Sequence, residues 1–446
     1  MSGYAVCADV GSTFTKVAVV ELATGALVAS AARPTTVGSD VLRGLDAAVT
    51  QAAGPDAAAM PWYVCSSAGG GLRLAVVGYE ELVTARAGQQ VGLSAGARVV
   101  HVGAGRLDRA GVTGLRAARP DVVLLVGGTD GGDGEVLLHN AARLAAARWR
   151  VPVVVAGNVE VRSEVAGVLA DRGVPVTVAG NVLPRIGVLA PLSARAAIRD
   201  VFLRHVIGGK RLSRGTRFAG LVRAATPEAV LTGVEVLADQ LSGDLVVVDV
   251  GGATTDVYSV LTPDERAKGP ARAAAGTLWR ARTVEGDLGM RWSAPGVVAA
   301  AQAERMLVAG EVELLTAAAA DRAADPGFLA VDAGARAVDR RIAGLAATVA
   351  LRRHARGASV GDGGGRDLRD VRLIIGSGGV LRHAGAQEAV AVLDAVLADH
   401  GGGWALPRAA TPVVDDQYVL AAAGLLAAEH PVTAVALLRR YLLVGD

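Results

Sequence analysis

The sequence is poor in cysteine, in aromatic side chains and in net charge. Its 446 residues include two cysteines and 3% aromatic residues, and the formal net charge at pH 7 is +2. This composition excludes an extended aromatic platform for stacked bases, and the balanced charge excludes a strongly basic surface for nucleic acid. We therefore expect no nucleic-acid partner.

Long apolar runs are missing as well. No run approaches the roughly 20 apolar residues of a membrane-spanning helix. The chain enters a predicted strand at residue 4, which leaves no room for a signal peptide. Cys7 and Cys65 lie in apolar strand patterns, and we expect reduced core thiols there. These features predict a cytoplasmic protein without a membrane partner.

Two stretches of the sequence share one design. Residues 7–21 read CADVGSTFTKVAVVE, and residues 245–260 read LVVVDVGGATTDVYSV. Each predicts a Val-rich strand ending in aspartate (Asp9 or Asp249), a turn of small residues and a second strand. Small residues let backbone N–H groups approach phosphate oxygens, and hydroxyls add donors. The pair predicts two phosphate-binding hairpins, whereas an ordinary glycine hairpin is the alternative for either one alone.

The strand-end acids and a third turn extend this hypothesis. Asp9 and Asp249 can hold a hydrated Mg²⁺ or orient water toward a phosphoryl group. The turn Gly376-Ser377-Gly378-Gly379 follows a predicted strand over 371–375 and precedes a helix, where adenosine can lie against glycine backbone. We therefore expect ATP and Mg²⁺ as cofactors.

Three motifs resemble those of a known superfamily. DVGSTFTK, DVGGATTD and IGSGGVLR are similar, in this order, to the first phosphate, second phosphate and adenosine motifs of the actin, Hsp70 and sugar-kinase superfamily. Within it, LLVGGTDGGDGEVLLHNA (124–141), VVVDVGGATTDVYSV and RTVEGDLGMR (282–291) resemble the glutamate mutase (methylaspartate mutase) accessory protein family, called MutL and unrelated to DNA mismatch repair.

The resemblance implies an α/β fold with two ribonuclease-H-like (actin/Hsp70-type) ATPase halves and an inserted parallel-sheet α/β domain. Apolar runs alternate with helix-length segments over the insertion, which favours a parallel sheet. The predicted division is 1–71 for the first part of half I, 72–182 for the insertion, 183–243 for a helical return completing half I, and 244–446 for half II. Within it we expect strands at 4–10, 15–21 and 26–32, helices near 185–208 and 227–241, and an exposed loop at 356–370.

The function implied by the resemblance is that of an ATP-dependent reactivating factor. Such a chaperone-like ATPase serves an adenosylcobalamin-dependent mutase, glutamate mutase foremost, by promoting exchange of damaged cobalamin. The expected partners are mutase subunits, and a homo-oligomer is left open. The expected activity is ATP hydrolysis in the service of a protein client.

The resemblance also assigns residues by motif position. Asp9 and Asp249 match the acids that act in catalysis and hold Mg²⁺ through water. Ala253 stands where chaperone relatives have a third glycine, which tightens the turn. The nucleotide-binding set comprises Gly11, Ser12, Thr13, Lys16, Gly251, Gly252, Ala253, Thr254, Asp256, Gly376, Ser377, Gly378 and Gly379.

Two further segments have open interpretations. Gly128, Thr129 and Asp130 form either an additional phosphate or hinge element or a polar loop capping the helix that starts near Gly134. Glu285 and Asp287 lie in a predicted loop, where they either contact a partner or remain solvated.

Three alternative functions remain at this point. A small-molecule kinase of the same superfamily needs a base; Asp415 and Asp416 are candidates, but a helix cap explains them more simply. An activator of another enzyme, such as 2-hydroxyacyl-CoA dehydratase, needs a cysteine-bound iron–sulfur cluster, for which Cys7 and Cys65 are not suitably placed. The third is a nucleotide-dependent assembly module like the actin-type filament proteins.

Overall fold

The computed structural model describes residues 3–207, 212–241, 243–261, 280–356 and 366–443. The chain forms two compact units. The first holds Met1–Ala68, Ala229–Thr262 and Arg282–Asp446, and the second consists mainly of Gly69–Glu228. Within the described ranges, no helix is both long and apolar enough to cross a bilayer. The predicted loop at 356–370 falls largely on residues 357–365, which lie outside the described residues.

The strands follow the predicted apolar runs closely. In chain order they are β1 (Tyr4–Val10), β2 (Phe14–Glu21), β3 (Leu27–Pro34), β4 (Trp62–Ser66), β5 (Arg73–Gly78), β6 (Arg98–Ala104), β7 (Val122–Leu125), β8 (Val153–Val155), β9 (Val176–Val178), β10 (Val222–Ala225), β11 (Leu245–Val250), β12 (Thr255–Val260), β13 (Arg280–Glu285), β14 (Leu373–Ser377) and β15 (Thr411–Val414).

The helices fill the segments between the strands. They are α1 (Val41–Ala53), α2 (Arg86–Ser94), α3 (Arg109–Ala117), α4 (Glu135–Ala146), α5 (Arg162–Ala170), α6 (Leu192–Val201), α7 (Arg217–Leu221), α8 (Thr226–Leu241), α9 (Ala294–Ala303), α10 (Glu311–Ala324), α11 (Ala333–Arg356), α12 (Gly379–His383), α13 (Ala386–Leu397), α14 (Val419–Leu426) and α15 (Pro431–Leu442). Shorter 3₁₀ or π turns are Gly54–Ala59, Glu81–Ala85, Phe202–Ile207 and Gly401–Gly403.

The first unit contains two sheets built on the same plan. One runs β3-β2-β1-β4 and the other β13-β12-β11-β14-β15. In each, the central strand pairs antiparallel with the strand that follows it, β2 or β12, and parallel with a later one, β4 or β14. This is the ribonuclease-H-like arrangement, and it confirms the prediction of two duplicated halves.

Both central strands are buried on their two faces. All of β11 except Asp249 is buried, and β1 shows the same pattern apart from exposed Tyr4 and partly buried Asp9. Parallel pairing under covering helices accounts for such continuous Val-rich sequences. The acids lie near the carboxyl ends of these strands, where the chain leaves the core.

The second unit holds a parallel sheet in the order β6-β5-β7-β8-β9. Counted from its first strand, the order is 2-1-3-4-5, a doubly wound arrangement with helical crossovers. The expected inserted α/β domain is thus confirmed as a parallel sheet. The second unit extends to Glu228 and includes strand β10. The sequence predicted only helices in the return segment 183–243. A compact unit is defined by contacts within the folded chain, whereas the insertion is defined by its place in the sequence. The proposed domain boundaries therefore stay a prediction.

Two helices of the first unit cross at glycines. A Cβ on Gly424 of α14 would overlap the carbonyl oxygen of Ala229, and one on Gly233 of α8 would overlap that of Leu420. The backbones therefore approach more closely than any side chain permits, which fixes where helix α14 can lie.

We expect Gly424→Ala to destabilise the first unit by about 1–3 kcal/mol, because the added methyl must displace backbone. Gly344→Ala on α11 is the matched control, since its Cβ would meet Val392 Cγ1 at an ordinary 3.6 Å, and replacing a helical glycine adds up to about 1 kcal/mol of stability. Urea unfolding midpoints measure both changes. Wild-type stability in Gly424→Ala would contradict the close crossing.

Candidate nucleotide site

The two predicted hairpins have the same turn. The Gly11 N–H donates to the Phe14 carbonyl at 3.1 Å, and the Gly251 N–H donates to the Thr254 carbonyl at 2.9 Å. A Cβ on Gly11 or Gly251 would lie 2.7 or 2.9 Å from that same oxygen. Both turns therefore depend on glycine, as their sequences indicate.

The acids occupy equivalent registers but face opposite charges. Asp9 is paired across its hairpin with Lys16, whose Nζ lies 3.7 Å from Asp9 Oδ2. Asp249 is paired with Asp256, which in turn accepts a hydrogen bond of 2.8 Å from Arg282 Nε. The first hairpin thus pairs its own acid with a cation, whereas the second places opposite Asp249 a carboxylate that is paired with Arg282.

This difference is visible in the pKa values. Burial alone lowers the pKa of Lys16, but Tyr418, Asp9 and Asp249 outweigh it and hold that pKa above its usual value. For Asp249, desolvation is the main cause that raises the pKa to about 6; Lys16 and the Ser377 hydroxyl oppose it, whereas Asp256 and Asp9 add to it. Lys16 is consequently protonated, and Asp249 titrates close to neutral pH.

Each acid also has a donor on the parallel strand beside it. Asp9 is in register with Cys65, whose thiol lies 3.7 Å from Asp9 Oδ1. Asp249 is in register with Ser377, whose hydroxyl donates to it. Both cysteines are buried, and neither forms a disulfide within the described ranges, as expected. The sequence predicted Cys65 only as a core thiol. The segment CSSAGGG (65–71), which begins at the end of β4, nevertheless repeats the pattern of the third motif, a strand followed by a turn of small residues.

The turns of the two hairpins face each other. A Cβ on Gly252 would lie 3.1 Å from Thr13 Oγ1. This hydroxyl is buried and has no hydrogen-bond partner among the described residues. A buried hydroxyl without a partner requires an explanation, and a phosphate oxygen held between it and the Gly252 N–H supplies one. The residues present therefore fit a nucleotide phosphate.

The segment EGDLGMR lies directly behind the second hairpin. Met290 N–H donates to the Gly251 carbonyl at 2.9 Å, and Arg291 N–H donates to the Gly252 carbonyl at 2.7 Å. These bonds turn the hairpin's own N–H groups away from the segment. Its backing role was not predicted, because it depends on tertiary contacts.

The two acids of this segment pair with an arginine of the same unit. Arg353 of α11 donates to Glu285 at 2.8 Å and to both oxygens of Asp287 at 2.8 and 2.9 Å. Burial raises the pKa of Glu285, and Arg353 opposes that shift. These bonds link the second hairpin's supporting segment to the long helix α11.

The third glycine turn packs onto the end of β11. Gly378 has φ 110°, and a Cβ there would overlap the Val250 carbonyl oxygen. The Asp415 N–H donates to the Gly376 carbonyl at 2.9 Å. The Asp415 carboxylate accepts N–H bonds from Val419 and Leu420 at 2.8 and 3.2 Å. Asp415 is thus a cap for α14, as the simpler interpretation held.

The GGTDGG loop lies in the second unit and is held by two asparagines. Asn158 Nδ2 donates to the Gly132 carbonyl at 2.8 Å, and Asn181 Nδ2 donates to the Gly128 carbonyl at 3.0 Å. Asp130 Oδ1 accepts from Val159 N–H at 3.0 Å. The asparagines belong to two AGN sequences, at 156–158 and 179–181, that follow β8 and β9. In each, the asparagine Oδ1 accepts the N–H of the residue two positions later at 3.0 Å. Asp133 accepts from the Glu135 N–H at 2.7 Å, which supports the helix-cap interpretation of this loop.

The first unit therefore brings together the predicted residues of three motifs. From the first hairpin these are Asp9, Gly11, Ser12, Thr13 and Lys16; from the second, Asp249, Gly251, Gly252, Ala253, Thr254 and Asp256; and from the third turn, Gly376, Ser377, Gly378 and Gly379.

Paired hairpins on duplicated ribonuclease-H-like sheets define a protein of the actin, Hsp70 and sugar-kinase class. The model of the MutL protein family matches residues 5–442. A curated relative, Protein MutL of Clostridium tetanomorphum, is 33% identical over 455 residues, spanning 97% of this chain and 98% of the relative. The chain belongs to the MutL protein family, which confirms the resemblance drawn from the motifs.

The solved structures to which this chain is similar are more distant. A nucleotide-free acetone carboxylase is 15% identical, with a TM-score of 0.40 over 96% of this chain and 71% of that one. The ROK hexokinase of Thermus thermophilus is 13% identical, with a TM-score of 0.28 over 97% of each chain.

We expect Asp249→Asn to stabilise the fold increasingly as pH rises from 4.5 to 7.5. A native pKa of about 6 lies above the unfolded value of about 3.9, so ionisation destabilises the wild type as pH rises through 6. The gain is at most about 3 kcal/mol, since one pKa unit corresponds to about 1.4 kcal/mol.

Unfolding midpoints at the two pH values measure this gain. Asp394→Asn, a change at an exposed acid of α13, is the control and should show no pH-dependent difference from the wild type. Equal effects of Asp249→Asn at both pH values would refute the raised pKa.

Proposed function

We propose that this protein is an ATP-dependent reactivating factor for an adenosylcobalamin-dependent mutase, with glutamate (methylaspartate) mutase as the expected client. The nucleotide-binding part of this proposal rests on the Thr13 hydroxyl, which is buried opposite Gly252 and has no hydrogen-bond partner among the described residues. Membership of the MutL family supports the accessory role. The partners are then mutase subunits, and the cofactors are ATP and Mg²⁺.

The residues of the two hairpins divide the work of binding. The N–H groups of Gly11 and Gly251 close the two turns. The Gly252 N–H and the Thr13 hydroxyl are suited to phosphate oxygens, and protonated Lys16 offsets the negative charge of the phosphates. Asp9 and Asp249 would hold Mg²⁺ through water, as hydrated Mg²⁺ prefers. Bound Mg·ATP supplies a phosphoanhydride whose hydrolysis releases free energy. Asp249, with its pKa raised to about 6, is suited to orient a water molecule and accept its proton.

The geometry bears on two of the alternatives. A kinase needs a free base near its acceptor; of the two candidates, N–H groups of α14 engage both oxygens of Asp415, which leaves the exposed Asp416. A cluster-bearing activator needs exposed thiolates, but Cys7 and Cys65 are 3% and 0% exposed. Turnover of ATP without any acceptor separates an ATPase from a kinase directly.

We expect Mg·ATP to raise the unfolding temperature, because a ligand of the native state stabilises it by about 2.7 kcal/mol at 100 times its dissociation constant.

Asp249→Asn should remain folded and hydrolyse ATP about 100-fold or more slowly, since it lacks the proton-accepting carboxylate. Asp394→Asn should hydrolyse ATP at the wild-type rate. Wild-type turnover by Asp249→Asn would remove the role assigned to this acid.

The client is tested by reactivation. Glutamate mutase inactivated with cyanocobalamin is mixed with this protein, intact adenosylcobalamin and either ATP or a non-hydrolysable analogue. We expect release of cyanocobalamin and recovery of mutase activity with ATP, and none with Asp249→Asn. If hydrolysis proceeds but no damaged cobalamin is exchanged, the protein is an ATPase with another client.

A further inference from the structure

One aromatic side chain outside the predicted motifs contacts two of them. Lys16 Nζ lies 3.7 Å from the centroid of the Tyr418 ring, and Arg382 Cζ lies 4.6 Å from it. Lys16 belongs to the first phosphate hairpin, and Arg382 follows the third glycine turn in IGSGGVLR. A single ring therefore joins the phosphate end of the predicted site to its adenosine end.

The backbone of Tyr418 is held in an uncommon conformation. Its φ of 56° and ψ of 38° are left-handed, which few residues other than glycine adopt. The preceding turn is fixed by Asp415, whose carboxylate accepts the Val419 and Leu420 N–H groups. Such strain in a tightly determined turn is a feature of functional sites. Here it directs the ring toward the two cations.

The two cations at the ring differ in their other partners. No carboxylate pairs with Arg382 in the part of the chain that the structure describes. Lys16 Nζ lies 3.7 Å from Asp9 Oδ2, and Tyr418, Asp9 and Asp249 together raise its pKa. The electron-rich face of an aromatic ring attracts cations without binding them as an anion does. It can therefore hold both groups near an anion site and release them when an anion arrives.

We propose that Tyr418 is a positioning residue whose ring holds Lys16 and Arg382 in place for the phosphate and adenosine ends of a nucleotide. On nucleotide binding, Lys16 moves from the ring face to a phosphate oxygen. This assignment rests on the proposed nucleotide function, but the contact between ring and lysine can be tested without any ligand.

The ligand-free test uses fluorine resonances. The protein is labelled with 3-fluorotyrosine, and the Tyr418→Phe spectrum identifies the Tyr418 resonance among those of the six tyrosines. We expect this resonance to shift in Lys16→Met, because the charge above the ring is lost. An unchanged Tyr418 resonance in Lys16→Met would overturn the proposal.

The ligand test measures affinity for Mg·ADP by calorimetry. Tyr418→Leu should weaken binding about tenfold, and Tyr418→Phe, which keeps the ring face, should stay within about twofold of the wild type. Tyr441→Leu is the control for a merely structural role, since the Tyr441 hydroxyl accepts the Leu27 N–H at 2.9 Å and touches no motif. Equal losses in Tyr418→Phe and Tyr418→Leu would refute a role for the ring face.

The two tests separate this proposal from the proposed function. If the wild type binds no Mg·ADP, the nucleotide function fails, and the fluorine shift in Lys16→Met still decides whether the ring holds the lysine. If Mg·ADP binds and the Tyr418 resonance of the wild type does not move, Lys16 does not leave the ring and the proposal fails.

Discussion

Two carboxylates at the ends of buried strands are the constraint on which the site depends. Asp9 and Asp249 lie where β1 and β11 leave the core, and ionised acids in such places need compensation by cations or donors. The fold provides Lys16 beside Asp9 and a hydroxyl from Ser377 for Asp249. It leaves Asp249 incompletely compensated, as its raised pKa shows. That residual demand suits a hydrated cation more than a structural ion pair.

Duplication explains the shared geometry, and divergence explains the unequal chemistry. The two hairpins keep the same turn hydrogen bond and the same register. Each also has a donor on the equivalent parallel strand beside it, β4 or β14. They differ at the cross-strand position opposite the acid, where the first hairpin has Lys16 and the second has Asp256. One hairpin is therefore suited to neutralise phosphate charge, and the other to attract a metal and its water. Two identical hairpins would provide only one of these functions.

The sequence predicted those parts of the site that are local in the chain. Strand periodicity, glycine turns and terminal acids lie within about 15 residues of one another, so DVGSTFTK and DVGGATTD could be recognised without tertiary information. The alternating apolar runs of the second unit likewise predicted its parallel sheet.

The missed features depend on register between distant segments. Cys65 lies beside Asp9 only because β4 pairs parallel with β1. EGDLGMR backs the second hairpin through bonds to Gly251 and Gly252 that no sequence spacing encodes. Tyr418 could not be predicted because its contacts with Lys16 and Arg382 join segments that are distant in the chain. Strand β10 was missed because its four residues are too short for a clear period.

The central claim is that both hairpins bind the phosphates of one nucleotide together. Hydrogen exchange of backbone amides, read by mass spectrometry with and without saturating Mg·ATP, tests it most directly. We expect slower exchange in the peptides that cover residues 9–16 and 249–256, with no change in the turn at 22–26 between β2 and β3. Protection confined to one hairpin, or absent from both, would contradict the account.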